Sequence, residues 1–254
     1  MFADLVKDIK RALGSKTARI YLICTAGLIL LANIAVICFR FIYGSNEGTF
    51  SYNVFEYASW CFLIPYYSCI VIGLIAVGDR EASEKETAGK GIKPWQLYIS
   101  KLLTAMALAV VFLLAAFVLL YVITTLFHIN EGLIKWFVLK NFLAKAAISI
   151  PLWFAGISFA IMFLMLFSKK WAAVVGFAVV TLVIPQLIRI FSLDTFKFEF
   201  FRLIRRYTIT QSFGLVPYPS YPDRSVPLII TLGIVYGLIA FAVGITVYCS
   251  KKAK

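Results

Sequence analysis

Six long runs of apolar residues, separated by short polar stretches, dominate the hydrophobic pattern of this chain. They cover roughly residues 20–39, 57–77, 102–127, 146–167, 171–191 and 227–249. A helix that rises 1.5 Å per residue needs about 20 residues to cross a hydrocarbon core about 30 Å thick. The pattern therefore predicts an all-α membrane protein with six spanning helices in one transmembrane domain over residues 1–254, with both termini on the same side.

The first 19 residues show a different pattern, with apolar side chains on one side of a predicted helix and charged side chains on the other. The apolar positions are Phe2, Leu5, Val6, Ile9 and Leu13, and the charged ones are Asp4, Lys7, Asp8, Lys10 and Arg11. Such a helix lies in the membrane interface with its basic side toward anionic headgroups. We therefore predict an interfacial amphipathic helix within residues 1–19.

The composition and charge of the chain indicate the environment in which it folds. Hydrophobic residues make up 62% of it and charged residues only 15%, and its mean hydropathy is +0.91. Such values are typical of a protein whose solvent is largely lipid. With the N-terminus inside, 15 of the 25 Lys and Arg residues fall on inner segments, which favours cytoplasmic termini.

The predicted spans contain no Asp, Glu, Lys or Arg well inside their apolar runs. Carriers driven by protons or ions normally keep an ionisable group at membrane depth, so this pattern argues against them. Three prolines, Pro65, Pro151 and Pro185, are expected to bend their helices. In the last span Gly233, Gly237, Ala240 and Gly244 share one helical face, which predicts close packing against another helix.

The sequence offers no set of residues for catalysis or for metal binding. None of the five cysteines has metal-ligand spacing, and the chain has one histidine, His128, at the outer end of the third span. We therefore predict neither enzymatic activity, nor a cofactor, nor a metal in this chain.

The connection between the second and third spans is unusually charged. Residues 78–103 read GDREASEKETAGKGIKPWQLYISKLL. Glu81 and Lys85 are four residues apart, which suits a short helix in solvent, and Gly89 and Gly91 break that helix. Pro94 is well placed to begin the next helix. The pattern predicts a short cytoplasmic helix and turn over residues 79–95.

The run from Gly91 to Leu103 resembles the G-I-S-R-x-x-I-Y-x-S-K-L-I pattern of six-span bacterial permeases of the type-2 class of ATP-binding-cassette exporters. In that family an acidic stretch and a Thr precede the pattern, and here Glu84, Glu86 and Thr87 take that place. Pro94 replaces the family's Arg. The resemblance implies that residues 79–95 are a coupling helix that docks on a separate ATPase subunit. The implied contact residues are Asp79, Arg80, Glu81, Glu84, Glu86, Thr87, Gly91, Ile92 and Lys93.

The same resemblance implies the partners and the location. Two ATPase subunits would carry ATP and Mg, and a second permease chain, identical or similar, would complete the path. The chain would reside in the bacterial cytoplasmic membrane among membrane lipids.

A second polar region, residues 192–226, is the largest predicted outer segment and interleaves aromatic with basic side chains. This mixture favours the headgroup layer of a membrane. Nucleic acid could use the same chemistry, but the predicted outer location argues against it. In the family, short re-entrant helices cap the path here, so a lid and a lipid-hugging loop both remain open. Arg202, Arg205, Arg206 and Tyr207 are the candidate contacts to anionic lipid or to an acidic part of a substrate.

These observations lead to three hypotheses about function. The first is the permease subunit of an ATP-driven exporter of amphipathic or hydrophobic peptides, such as bacteriocins, lantibiotics or cytolytic peptides. The second is an immunity or sensor protein of the membrane that binds a peptide on its outer face without transport. The third is a secondary carrier.

Overall fold

The computed structural model describes residues 2–43, 50–78, 93–129, 134–193, 198–217 and 225–252. Within these ranges the regular structure is helical, as the sequence predicted. We number the helices α1 (Phe2–Leu13), α2 (Lys16–Tyr43), α3 (Phe50–Trp60), α4 (Leu63–Val77), α5 (Pro94–Phe127), α6 (Trp136–Leu166), α7 (Lys170–Phe191), α8 (Glu199–Arg206), α9 (Ile209–Leu215) and α10 (Ser225–Lys252).

Five of the described helices, α2, α5, α6, α7 and α10, are each long and apolar enough to cross a membrane. The pair α3 and α4 makes a sixth span if it is counted as one, with a bend of 60° between its halves. The six predicted apolar runs therefore correspond to these elements, as expected for a multi-pass membrane protein. Several helices begin earlier than predicted, because polar residues at their ends are helical as well.

The three prolines have different surroundings. The break between α3 and α4 lies just before Pro65, which has no N–H to donate to the carbonyl of Cys61, and Ile64 donates to that carbonyl instead at 2.9 Å. A π-helical turn over Val179–Val183 precedes Pro185. Pro151, in contrast, lies inside the continuous helix α6.

Helix α6 lies at the centre of the bundle, where it packs against α3, α4, α5, α7 and α10. The buried side chains form two clusters. One contains residues of α1, the end of α4, the start of α5 and the end of α10, and we call that side the inner end. The other contains residues of α3, the start of α6 and α9, and we call that side the outer end. The distribution of Lys and Arg predicts that the inner end faces the cytoplasm.

The outward faces of the long helices are apolar. Ile23 on α2, Leu126 on α5 and Trp171 on α7 are each at least 65% exposed. Apolar surface on this scale is costly in water and has no such cost in lipid. The exposed faces of α2, α7 and α10 are therefore available to lipid or to another membrane chain.

Candidate functional site

The residues on either side of the charged connection between the second and third spans lie at the inner end. Helix α4 ends at Gly78, which has a φ of 61° and donates its N–H to the carbonyl of Leu74 at 3.0 Å. Only glycine adopts such a backbone conformation without strain, so this residue sets the direction in which the chain leaves α4. A Cβ at position 78 would lie 3.8 Å from the guanidinium of Arg11 on α1.

On the other side of the connection, Lys93 precedes the first turn of α5, which begins at Pro94 as predicted. The N–H of Lys93 donates to Oε1 of Gln96 at 3.0 Å, so the free start of this helix is capped. The Lys93 side chain is exposed. It belongs to the predicted ATPase contacts; the others, Asp79, Arg80, Glu81, Glu84, Glu86, Thr87, Gly91 and Ile92, lie outside the described residues.

Helix α1 packs beside both ends of this connection. It contacts α4 and α5, and Ala12 and Ala18 are buried in the same cluster as Val77 and Leu102. Small side chains at these two positions allow the start of the chain to approach the bundle closely. Lys101, one of the 15 Lys and Arg residues that the sequence places on inner segments, is only 4% exposed. The inner end therefore joins α1, α4 and α5 in one packed unit.

At the outer end, α8 is a short amphipathic helix on the surface. Phe200 and Leu203 are 67% and 54% exposed, and Tyr207, just beyond the helix, is 45% exposed. At 100° per residue these three side chains share one side, next to the exposed Arg202 and Arg206. An exposed apolar edge beside basic side chains suits the boundary between headgroups and acyl chains.

The three arginines predicted as one outer contact differ in their surroundings. Arg205 is half-buried and donates from Nε to Oε1 of Gln211 at 3.0 Å and from Nη1 to Oγ of Ser192 at 3.3 Å. This side chain links the ends of α7 and α9 to α8. Arg202 and Arg206 face outward. The candidate outer contact surface is therefore Arg202, Arg206 and the apolar edge, with Arg205 as an internal link.

Helix α9, by contrast, is inserted among the spanning helices. Ile209, Phe213 and Val216 are all buried in the outer cluster. The ring centroid of Phe213 lies 5.5 Å from that of Tyr66 on α4. The described residues of the outer segment thus include a peripheral helix α8 and a buried helix α9.

The glycine face of the last span packs against the neighbouring helices of the same chain. A Cβ at position 233 would lie 2.5 Å from the carbonyl carbon of Pro151, and one at position 237 would meet the ring of Phe154. A Cβ at position 244 would meet the hydroxyl of Tyr98 on α5. The sequence left open whether this seam lies within or between chains; the structure places Gly233, Gly237 and Gly244 against α6 and α5.

Sequence reasoning missed a buried ion pair at the outer end. The ammonium of Lys145 on α6 lies 3.0 Å from Oε2 of Glu56 on α3, and the side chains are 4% and 22% exposed. The predicted spans began at residues 57 and 146, directly after these two residues, whereas the helices begin at Phe50 and Trp136. The apolar runs themselves hold no charge well inside them, as the sequence analysis states, but the helices extend beyond the runs and carry this pair. From the sequence, Glu56 and Lys145 were each interpreted as the polar residue at the end of a span.

No protein-family model matches this chain, and no curated protein is similar enough in sequence to count as a relative. Across the described ranges, no three His, Cys, Asp or Glu side chains come together as metal ligands would. The candidate functional residues are therefore identified from the sequence and the geometry of this chain alone.

Proposed function

We propose that this chain is the transmembrane permease subunit of an ATP-driven exporter of the ATP-binding-cassette type. ATP hydrolysis, with its Mg, takes place in a separate ATPase subunit that docks on the connection between α4 and α5. Two ATPase subunits and a second permease chain, identical or similar, complete the transporter. The membrane is the bacterial cytoplasmic membrane, and both termini face the cytoplasm.

The arrangement of the inner end carries this proposal. The charged connection leaves α4 at Gly78 and enters α5 at Lys93, and α1 packs against both helices. Helix α4 in turn packs against α6, the centre of the bundle. A push on the connection is thus transmitted to two spanning helices and to their central neighbour. Four carboxylates and four basic side chains over residues 79–93 supply a polar surface for a soluble partner.

The preferred cargo is an amphipathic or hydrophobic peptide. The exposed faces of the long helices are apolar, so an amphiphile can reach the protein sideways from the lipid. The outer surface of Arg202, Arg206 and Tyr207 offers basic and aromatic side chains to an acidic part of such a peptide or to a lipid headgroup. A sugar or a metal ion would find few polar partners along these helices.

The test is reconstitution with a candidate cassette ATPase encoded beside this chain. Inside-out proteoliposomes that contain both proteins should take up a fluorescent amphipathic peptide when ATP and Mg are added. Vesicles with an ATPase that lacks its catalytic carboxylate are the control. Uptake that ignores ATP but follows an imposed proton or sodium gradient would contradict the proposal.

That last outcome would favour a second candidate, an ion-coupled carrier. The observation in its favour is the Glu56–Lys145 pair, because ionisable residues inside spanning segments often line ion paths. The third candidate, an immunity or sensor protein, predicts peptide binding at the outer end without any uptake. It also predicts that the connection between α4 and α5 tolerates substitution.

A further inference from the structure

The ammonium of Lys145 has three hydrogen-bond acceptors within reach. It donates to Oε1 and Oε2 of Glu56 at 3.2 and 3.0 Å and to the carbonyl oxygen of Pro217 at 2.8 Å. An ammonium group carries three donors and no acceptor, so these contacts use its full capacity. Two of the acceptors belong to Glu56 on α3 and the third to the residues that follow α9, whereas Lys145 itself lies on α6. One buried side chain therefore ties together three separate parts of the outer end.

The contact to Pro217 provides a donor for a buried backbone carbonyl just after the C-terminus of α9. The last carbonyls of a helix and of the turn after it have no partner within the helix, and Pro217 and Val216 are buried. A buried carbonyl without a donor is costly, and Lys145 supplies the donor. The carboxylate of Glu56 in turn compensates the buried positive charge. The pair and the carbonyl thus form one satisfied polar unit in apolar surroundings.

The position of this unit determines what it controls. Helix α9 is held in the bundle by apolar contacts of Ile209, Phe213 and Val216. Apolar contacts are not directional, so they do not fix the orientation of the helix. The bond from Lys145 to Pro217 is a specific anchor at the C-terminal side of α9. At the N-terminal side, Arg205 supplies the corresponding link through Gln211. Helix α9 is therefore fixed on both sides by cationic side chains.

We propose that Lys145, held in place by Glu56, is a positioning residue that latches α9 within the outer end of the bundle. Release of the Pro217 carbonyl from Lys145 is the step that lets α9 move away. The latch stands on the geometry alone. Its consequence for transport, that the outer end opens by this release, rests on the proposed exporter function.

A test must separate the latch from a role of the pair in stability. Two double variants do so. In Glu56→Met/Lys145→Met both charges are replaced by apolar side chains of similar size, which buried ion pairs often tolerate. In Glu56→Leu/Lys145→Leu both positions are again apolar, so neither side chain can donate to Pro217. Both variants are expected to fold and to lack the latch.

The measurement is the distance between spin labels at positions 214 and 140, made by Gly214→Cys and Lys140→Cys in a variant without the native cysteines. A Cβ at position 214 meets nothing within 4 Å, and Lys140 is exposed, so neither label disturbs packing. The chain alone, in lipid nanodiscs and without an ATPase, is sufficient. A second label pair at positions 27 and 140 reports on the bundle itself, because a Cβ at Gly27 also lies in open space.

With native Glu56 and Lys145, we expect one narrow distance distribution for the 214–140 pair. In both double variants it should broaden and gain a second, longer component, while the 27–140 distribution stays unchanged. An unchanged 214–140 distribution in a monodisperse double variant would overturn the latch. A broadened 27–140 distribution would also overturn it, because the pair would then hold the whole bundle.

A measurement without substitutions covers the case in which neither variant yields folded protein. In protein labelled with 15N on lysine side chains and 13C on proline carbonyls, solid-state NMR should show a dipolar contact between Lys145 Nζ and the carbonyl carbon of Pro217. Absence of that contact in the resting protein would overturn the proposal.

Discussion

The indole Nε1 of Trp153 donates a hydrogen bond of 3.0 Å to the carbonyl oxygen of Phe62, although the two residues are 91 positions apart in the chain. Phe62 lies in the turn between α3 and α4, and its ring packs edge-on against the same indole at 5.5 Å. The bond therefore fixes the 60° bend of the second span against the central helix α6. A buried indole needs such an acceptor, and a bent helix offers one.

Replacement of Trp153 by Phe keeps an aromatic ring but removes the donor to the Phe62 carbonyl. Since both groups are buried, we expect a loss of about 1–3 kcal/mol in the free energy of unfolding. The midpoint of thermal unfolding in detergent measures the effect. Samples are heated to a series of temperatures, and size-exclusion chromatography gives the folded fraction that remains at each one. Trp171→Phe is the control, because Trp171 is 65% exposed. Equal midpoints for the two variants would show that the bond does not stabilise the bend.

The seam between α10 and α6 predicts a large difference between two Gly→Ala substitutions. At position 233 the new methyl group would lie 2.5 Å from the Pro151 carbonyl carbon and 2.7 Å from the Leu152 nitrogen, both of which belong to backbone. Backbone cannot turn aside as a side chain can, so we expect a loss of about 1–3 kcal/mol or more. Gly27→Ala, in open space on α2, should be neutral or slightly stabilising. Thermal midpoints of the two variants in the same detergent provide the comparison; similar values would contradict the seam.

The Glu56–Lys145 pair predicts non-additive effects on stability. Glu56→Met leaves the buried ammonium of Lys145 without its partner and should cost about 3–5 kcal/mol, whereas Lys145→Met leaves the partly exposed carboxylate of Glu56 and should cost less. The double variant leaves no uncompensated charge and should recover most of that loss. A double-mutant cycle of thermal midpoints tests this. Additive losses would mean that the two charges do not interact in the folded protein.

The positive-inside pattern predicts the orientation of the bundle. In a variant without native cysteines, Lys135→Cys before α6 should react with a membrane-impermeant maleimide in intact cells. Lys169→Cys before α7 should react only after the membrane is permeabilised. Both positions are exposed, so access to the reagent depends on the side of the membrane. The reverse pattern of labelling would place the termini outside.

The helices were predictable from the sequence because the residues that mark each helix lie within its own stretch of the chain. Long apolar runs determine the spans, Pro94 marks the start of α5, and Gly233, Gly237 and Gly244 repeat at helical spacing. Such signals need no knowledge of the neighbouring helices. The prediction therefore gave the order of the spanning elements, and their number if α3 and α4 are counted as one span.

The outer polar contacts were not predictable, because they join residues far apart in the chain. Lys145 meets Glu56 across 89 positions and Pro217 across 72 positions. In the sequence, each charge lies at the edge of an apolar run and resembles an ordinary helix end. The different roles of Arg205 and Arg206 were hidden for another reason: Gln211 is close in the chain to both, and only the fold shows that Arg205 turns toward it.

Association with an ATPase tests the central claim most directly. The chain, with Glu81, Glu84 and Glu86 each replaced by Ala, should be purified in mild detergent with its candidate ATPase and compared with the unsubstituted chain and with Glu199→Ala. Glu199 is an exposed carboxylate at the outer end and is the control. We expect the unsubstituted chain and the control to retain the ATPase and to stimulate its ATP hydrolysis, whereas the triple variant, still monodisperse, loses most of both. Equal retention by all three chains, or no association of the unsubstituted chain, would contradict the proposed coupling role of the connection between α4 and α5.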